Sequence, residues 1–297
     1  MSILDTWYDK AKADPQRIVL ADAGDERAIA ACERLNSEGL AQAEVMPTAP
    51  GPHITAGVRE AAEHLEKAVD LDDPLAVAVL KVAAGDADGC VAGATRPTPD
   101  VLRAGLRVLG VKEGAGVLSS CFFFVMPDGP PLVYGDCGVL PDPDADQLAS
   151  IAIASAATFT ELTGDAARVA MLSFSTKGSA EHPLVDKVRE GTRLAHELAP
   201  NLELDGELQF DAAFVGSVAA KKAPDSPVAG RANVFVFPDL DAGNIAYKIT
   251  ERIGGAQAFG PLLQGLDGVL HDLSRGCSTD DIVNVAVIAA LQASARA

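Results

Sequence analysis

Aromatic residues are scarce in this chain: ten Phe, three Tyr and one Trp make up 5% of it. The core must therefore be mainly Ala, Val, Leu and Ile, a composition typical of alternating strands and helices. Bases are scarce as well. Twenty-four Lys and Arg stand against 42 Asp and Glu, a formal charge of −18. That balance argues against the basic face nucleic acid requires and against an anionic membrane surface. An anionic substrate would need local Arg and Lys to overcome an unfavourable overall field. The plainer meaning of the charge is solubility.

Other absences narrow the field further. The five cysteines, Cys32, Cys90, Cys121, Cys137 and Cys277, are scattered and odd in number, with no CxxC pair and no His at ligand spacing. Buried free thiols in a reducing compartment are expected, with no metal site. No apolar run is long enough to span a bilayer, and the N-terminus shows no basic-then-apolar leader. The expected location is the cytoplasm. No GxxxxGK[ST], no GxGxxG after a strand, no HExxH and no GxSxG occurs, so the common nucleotide, zinc and nucleophile-elbow fingerprints are missing.

What is present is an alternation of strands and helices over 297 residues, enough for one large domain or two smaller ones. RIVLAD (17–22), AEVM (43–46) and DGCVAGA (88–94) read as strands, with helices at 25–40, 58–68 and 74–84. In TPDVLRAGLRVLG (98–110), Thr98 reads as N-cap and Pro99 as the first helical residue. VLSSCFFFVM (117–126) and PPLVYGDCG (130–138) flank the turn PDGP as a hairpin. Helices are then expected at 144–163, 183–198, 216–222 and 244–254, and strands at 169–174, 210–215 and 233–239. The simplest architecture is two α/β domains: residues 1–114 with 274–297, and 115–273. That chain order would place the loop around 271–281 at their junction.

HDLSRGCSTDDIV (271–283) is the most informative stretch. It sets a hydroxyl (Ser274), a guanidinium (Arg275), Gly276 and an acid (Asp281) just ahead of the apolar run IVNVAVIAAL. A loop entering a helix N-terminus presents free N–H groups and favours anions. Anion site, hydroxyl donor and base are the parts of acyl or phosphoryl transfer. Ser278-x-x-Asp281 also reads as a capping box, so Asp281 has two readings on pattern alone. Arg103 reads as a surface residue or an anion ligand, and Lys177 in STKGS as a turn lysine or part of a phosphate loop.

The segments GATRPTPDVLR (93–103), MLSFSTKGSA (171–180), DGELQFDAA (205–213), KAPDSPVAGRANVFVFPDLDAGNIAYK (222–248), GPLLQGL (260–266) and DLSRGCSTDDIV (272–283) together resemble the phosphate acetyltransferase family. The likeness runs from about residue 88 to 297, more weakly over 15–40. It implies reversible acetyl transfer between acetyl phosphate and CoA, without metal, by direct thiolate attack in a ternary complex. CoA and acetyl-CoA would be substrates, not bound cofactors. It implies two α/β domains with a cleft between them, similar to isocitrate and isopropylmalate dehydrogenases, and a homodimer formed through the second domain. By this resemblance Asp281 is the base for the CoA thiol, Ser274 a donor to the developing oxyanion, and Arg275 and Arg103 phosphate ligands. Thr98, Lys177 and Lys248 are further candidates for binding phosphate or CoA, and Cys277 is a bystander. Transfer of propionyl or butyryl groups, or a non-catalytic acetyl-CoA-binding regulatory role, stay as alternatives. The likeness departs over 45–75, which is short for the family and carries only Arg59 and Lys67 as bases, and at His271, where the family usually has Asn.

Overall fold

Residues 2–296 are described by a computed structural model. Up to Gly114 the elements are α1 (Ile3–Ala13), β1 (Arg17–Leu20), α2 (Glu26–Ser37), β2 (Gln42–Val45), α3 (Ala56–Glu63), α4 (Pro74–Ala83), β3 (Gly89–Ala92) and α5 (Thr98–Val108). From Ala115 they are β4 (Ser119–Val125), β5 (Leu132–Gly135), α6 (Ala145–Thr163), β6 (Arg168–Leu172), α7 (Pro183–Leu198), β7 (Glu203–Leu208), α8 (Phe210–Phe214), α9 (Gly216–Lys222), β8 (Val234–Val236), α10 (Leu240–Arg252) and β9 (Gln257–Gln264). β10 (Leu270–Asp272) and α11 (Thr279–Ser294) close the series. The chain divides into two units, one running to Gly114 and resuming at Leu266, the other Ala115–Gly265.

The first unit is built on a four-stranded parallel sheet in the order β10-β3-β1-β2. β3 is buried throughout, which is why it reads as a short apolar run without alternation; β10 is buried as well but carries His271 and Asp272. α11 begins with a capping box and buries ten residues, among them Ile282, Val283, Val285, Val287 and Ile288. Each such aliphatic side chain contributes on the order of 1.5–3 kcal/mol when fully buried. Gly105 lets α5 lie close to the sheet: a Cβ there would meet Leu270 at 2.9 Å and Leu266 at 3.0 Å.

The second unit holds a six-stranded sheet in the order β7-β6-β8-β5-β4-β9. β7, β6, β8 and β5 run parallel, and β4 is antiparallel to both β5 and β9. All ten Phe of the chain fall here. Phe122, Phe124, Phe235 and Tyr134 pack in one buried cluster, while Phe123 and Phe159 stack on each other outside it.

Several expectations change. Residues 266–273 belong to the first unit, not the second, because β10 pairs with β3 and extends that sheet. The stretch 210–215 is not a strand: ELDGEL just before it takes the edge position beside β6, and Phe210–Phe214 form α8. A six-residue apolar run cannot be told from a buried helical turn by periodicity. β7, β9 and β10 were not expected as strands; β10 has only three residues, and β7 carries Asp205 and Glu207.

Candidate active site

Within the first unit, β1, β3 and β10 lie side by side, and the chain turns sharply beyond each of them. Carboxyl ends of parallel strands are where α/β folds collect ligands. Two residues after β1 stands Asp22, buried, with both carboxylate oxygens used. Oδ2 accepts from the Ala94 amide at 3.1 Å, and Oδ1 from the Thr95 amide and hydroxyl at 2.8 and 2.6 Å. The exit of β1 thereby shapes the exit of β3.

Arg27, in the first turn of α2, gathers the remaining segments. Its Nε and Nη2 donate to the Asp25 carboxylate at 3.0 and 2.7 Å, and Nη2 also to Ala94 O at 2.9 Å. Its Nη1 donates to Arg275 O at 3.0 Å and Cys277 O at 2.8 Å. The five N–H donors of the guanidinium are all spent within the protein. They pin the backbone of the Ser-Arg-Gly loop to the turn after β3. In return, the guanidinium holds the Asp25 carboxyl below the usual carboxylate range.

The loop so held leaves its side chains outward. Ser274, Arg275 and Gly276 are exposed. Ser274 O accepts from the Cys277 amide at 2.9 Å, closing a turn, and Ser274 Oγ accepts from the Gly276 amide at 3.2 Å. The Arg275 guanidinium makes no hydrogen bond or ion pair with any described residue. Asp281 sits at the third position of α11. Its Oδ2 accepts from the Ser278 amide and hydroxyl, each at 2.8 Å, while its own amide donates to Ser278 Oγ at 3.2 Å. The capping box is therefore formed, and it occupies one carboxylate oxygen. No described residue donates to the other, Oδ1. Cys277 is buried, and burial pushes its thiol up to about 11 against the pull of Arg27. A neutral thiol is a poor nucleophile.

Thr98 is not the N-cap of α5. Pro97 takes that place, with no side-chain cap, and Thr98 is the first helical residue. Its hydroxyl donates to the buried Asp272 carboxyl at the end of β10. Arg103 is 71% exposed and ion-paired to Asp100 one turn earlier. It lines a cavity of about 890 Å³ with Lys67, Arg96, Arg107, Asp70 and Asp73, where Arg96 is paired with Asp73. No residue of 271–281 lines that cavity. The structure thus brings Ser274, Arg275 and Asp281 to one loop-to-helix junction and sets Arg103 beside that cavity on α5 with Arg107.

Lys177 and Lys248 belong to the second unit. Lys177 adopts a left-handed backbone (φ +46°), pairs with Asp205 and donates to Gly206 O at 2.8 Å. Ser175 Oγ and the Gly178 amide both donate to Glu207 at 2.9 Å, and Arg189 pairs with the same carboxylate. An internal carboxylate thus takes the donors that a phosphate loop would offer. Lys248 Nζ donates to Asn244 Oδ1 at 2.6 Å and lies over the Tyr247 ring. Asp239 caps α10, and Asp136 accepts from three successive amides, Gly138 to Leu140. Sequence reasoning missed Asp22, Arg27 and Asp272. One signal was available for Arg27: a cation in a helix's first turn opposes the macrodipole, so its presence there points to specific partners.

Residues 53–290 match the model of a family described as phosphate acetyl/butaryl transferase. The chain belongs to that family. It is 43% identical to a phosphate acetyltransferase of Paracoccus denitrificans, over 98% of this chain and 99% of that one. It is 42% identical to a phosphate acetyltransferase of Acetivibrio thermocellus, over 99% and 98%. Its fold matches the crystal structure of a phosphotransacetylase from Streptococcus pyogenes with a TM-score of 0.92 at 40% identity, covering 99% of this chain and all of that one. A putative 4-hydroxythreonine-4-phosphate dehydrogenase from Salmonella typhimurium matches at 0.55 with 11% identity; this likeness concerns the fold alone and agrees with a dehydrogenase-like α/β architecture. This member of the phosphate acetyl/butaryl transferase family is short. Its alignment with the Paracoccus protein spans 317 positions against 297 residues in the chain. Among the described residues, no helix is long and apolar enough to cross a membrane, and no group of three or more His, Cys, Asp or Glu is arranged to hold a metal.

Proposed function

We propose that the chain is a phosphate acetyltransferase, passing an acetyl group between acetyl phosphate and CoA. The observation that carries this reading is an uncommitted guanidinium, Arg275, six residues from an uncommitted carboxylate oxygen, Asp281 Oδ1, at one loop-to-helix junction. In the forward direction the CoA sulfur attacks the acetyl carbonyl. The new S–C bond forms, the C–O bond to phosphorus breaks, and inorganic phosphate leaves. Asp281 Oδ1 takes the thiol proton and returns it to solvent. Ser274 O–H donates to the carbonyl oxygen as charge develops, and Arg275, with Arg103, meets the phosphate oxygens through planar N–H pairs. Thr98, Lys177 and Lys248 have their polar ends engaged with protein partners and stand as secondary ligands.

An ordinary thiol titrates at about 8.5 and an ordinary Asp at about 3.9, so complete proton transfer before attack would be uphill by about 6 kcal/mol. Proton removal therefore accompanies carbon–sulfur bond formation. The acyl phosphate already carries a good leaving group, so positioning and charge neutralisation supply most of the rate. The test is thioester formation from CoA and acetyl phosphate by the purified protein, with propionyl and butyryl phosphate alongside. Acetyl transfer should be fastest, and Asp281→Asn should lower kcat by roughly 10²–10⁴. No turnover with any acyl phosphate would end the reading, and near-normal turnover by Asp281→Asn would remove the base from it.

Five free cysteines, three of them fully buried, suit a reducing compartment such as the cytoplasm. The homodimer is supported by Ile245 and Ile249 of α10 and Ile253 at its C-cap, which are spaced one turn apart and 58%, 52% and 83% exposed. Sedimentation should give twice the chain mass of 30.6 kDa; a monomer across micromolar concentrations would exclude it.

A further inference from the structure

Asp272 ends β10, two positions before Ser274, and is wholly buried. Its Oδ2 takes the Thr98 hydroxyl. Its Oδ1 takes nothing, and is the one buried side-chain polar atom among the described residues without a hydrogen-bond partner. The carboxyl lies against the Gly93 turn, where φ is +107° and a Cβ would stand 2.2 Å from Oδ1 and 2.7 Å from Leu273 O. Only glycine admits the side chain there.

The groups around it supply no positive charge. From the exit of β1 comes Asp22, an acid already saturated by Ala94 and Thr95. From β3 comes Ala92, the apolar register partner of Asp272. From α5 comes the Thr98 hydroxyl. On the α11 side, Gln292 holds His271 at 2.6 Å, and burial pushes that imidazole down to about 4, so it too is neutral. An ionised Asp272 would be an uncompensated buried charge beside a second acid. Burial accordingly pushes its carboxyl up to about 6, with the Thr98 hydroxyl opposing the shift and Asp22 adding to it.

We propose that Asp272 is a positioning residue for acyl transfer: its buried carboxyl ties the Ser274–Arg275 loop, through Thr98, to the first turn of the helix that carries Arg103. Oδ2 accepts from Thr98 whether or not the acid is protonated, and burial favours the protonated form below about pH 6. The tie joins two segments that the acyl phosphate reading assigns to one anion, and it rests on that reading.

Four variants test it: Asp272→Asn, Asp272→Ala, Thr98→Val and the double Asp272→Ala/Thr98→Val, each assayed at pH 5.5 and pH 8. Asn reproduces the shape of the carboxyl and still accepts from Thr98, so at both pH values its KM for acetyl phosphate should stay within about threefold of the parent protein. The Ala and Val variants should raise that KM roughly ten- to hundredfold through misplacement, with a smaller loss in kcat. Because both cut the same tie, the double variant should be no worse than the worse single. Multiplied losses would mean Thr98 acts on substrate by itself, and an Asn variant as impaired as Ala would mean the charge is needed; either overturns the proposal. A parent protein without turnover would overturn the activity reading alone, and melting then decides the proton. A carboxyl pushed up from 3.8 to about 6 favours the folded protein below that window and costs stability as pH rises through it. Asp272→Asn should therefore gain more melting temperature over the parent at pH 8 than at pH 5. A difference that does not change with pH would mean that Asp272 is not held as a buried, poorly compensated acid, and overturns that premise of the proposal.

Discussion

Replacing Arg275 with Ala should lower kcat/KM for acetyl phosphate by roughly 10²–10³, while the melting temperature stays within about 1 °C. The two halves of this expectation have separate origins. The guanidinium is exposed and makes no hydrogen bond or ion pair with the described residues, so its removal takes no structural contact away. What holds the loop is the Arg275 carbonyl, which every substitution at this position keeps. A phosphate, in contrast, loses its planar pair of donors, and even Lys restores only a point charge. Arg103→Ala should behave differently. That side chain is already paired with Asp100 at the surface, so its loss should appear mainly as a rise in KM of several-fold with little change in kcat. A parallel drop in stability with Arg275→Ala, or an unchanged kcat/KM, would count against the phosphate role.

Arg27→Lys should be the most damaging conservative change away from the reacting groups. The guanidinium reaches two carbonyls of the Ser-Arg-Gly loop, the Ala94 carbonyl and the Asp25 carboxylate at once. An ammonium has three donors and no fork. It cannot span those positions, so carbonyls in a half-buried setting lose their donor at about 1–3 kcal/mol each. The protein should melt several degrees lower, and kcat should fall roughly ten- to hundredfold because Ser274 and Arg275 drift from their places. Their joint appearance separates this residue from Arg275, where activity alone should move. Full activity with a lowered melting temperature would show that the loop keeps its geometry without the clamp.

Much of this was visible in the order of residues, because some signals depend only on neighbours. Ser278-x-x-Asp281 followed by an apolar run specifies a capped helix through contacts three positions apart. The hairpin around PDGP and the full extents of Pro183–Leu198 and Gly216–Lys222 follow from turn residues and local period. The long ordered motifs from 93 to 283 carry the family, and with it the candidate acid, hydroxyl and arginines. Local pattern also misled where it had too little to work on. Phe210–Phe214 is too short for its period to show, and Thr98 looks like a cap because nothing beside it in sequence reveals Asp272.

The tertiary structure decided which strands end side by side, and from that came the partners no window of sequence contains. Arg27 meets the loop carbonyls across some 250 positions, and Thr98 meets Asp272 across 174. β10 joins the first sheet although it follows the second unit in the chain. Lys177, attractive as a phosphate ligand in STKGS, is spent on Asp205. The physical reason is common to all four. A polar side chain shielded from water takes whatever partner the packing brings within about 3 Å, and that partner is set by the order of strands in the sheet, whereas caps, turns and helix faces are set by residues three or four positions away.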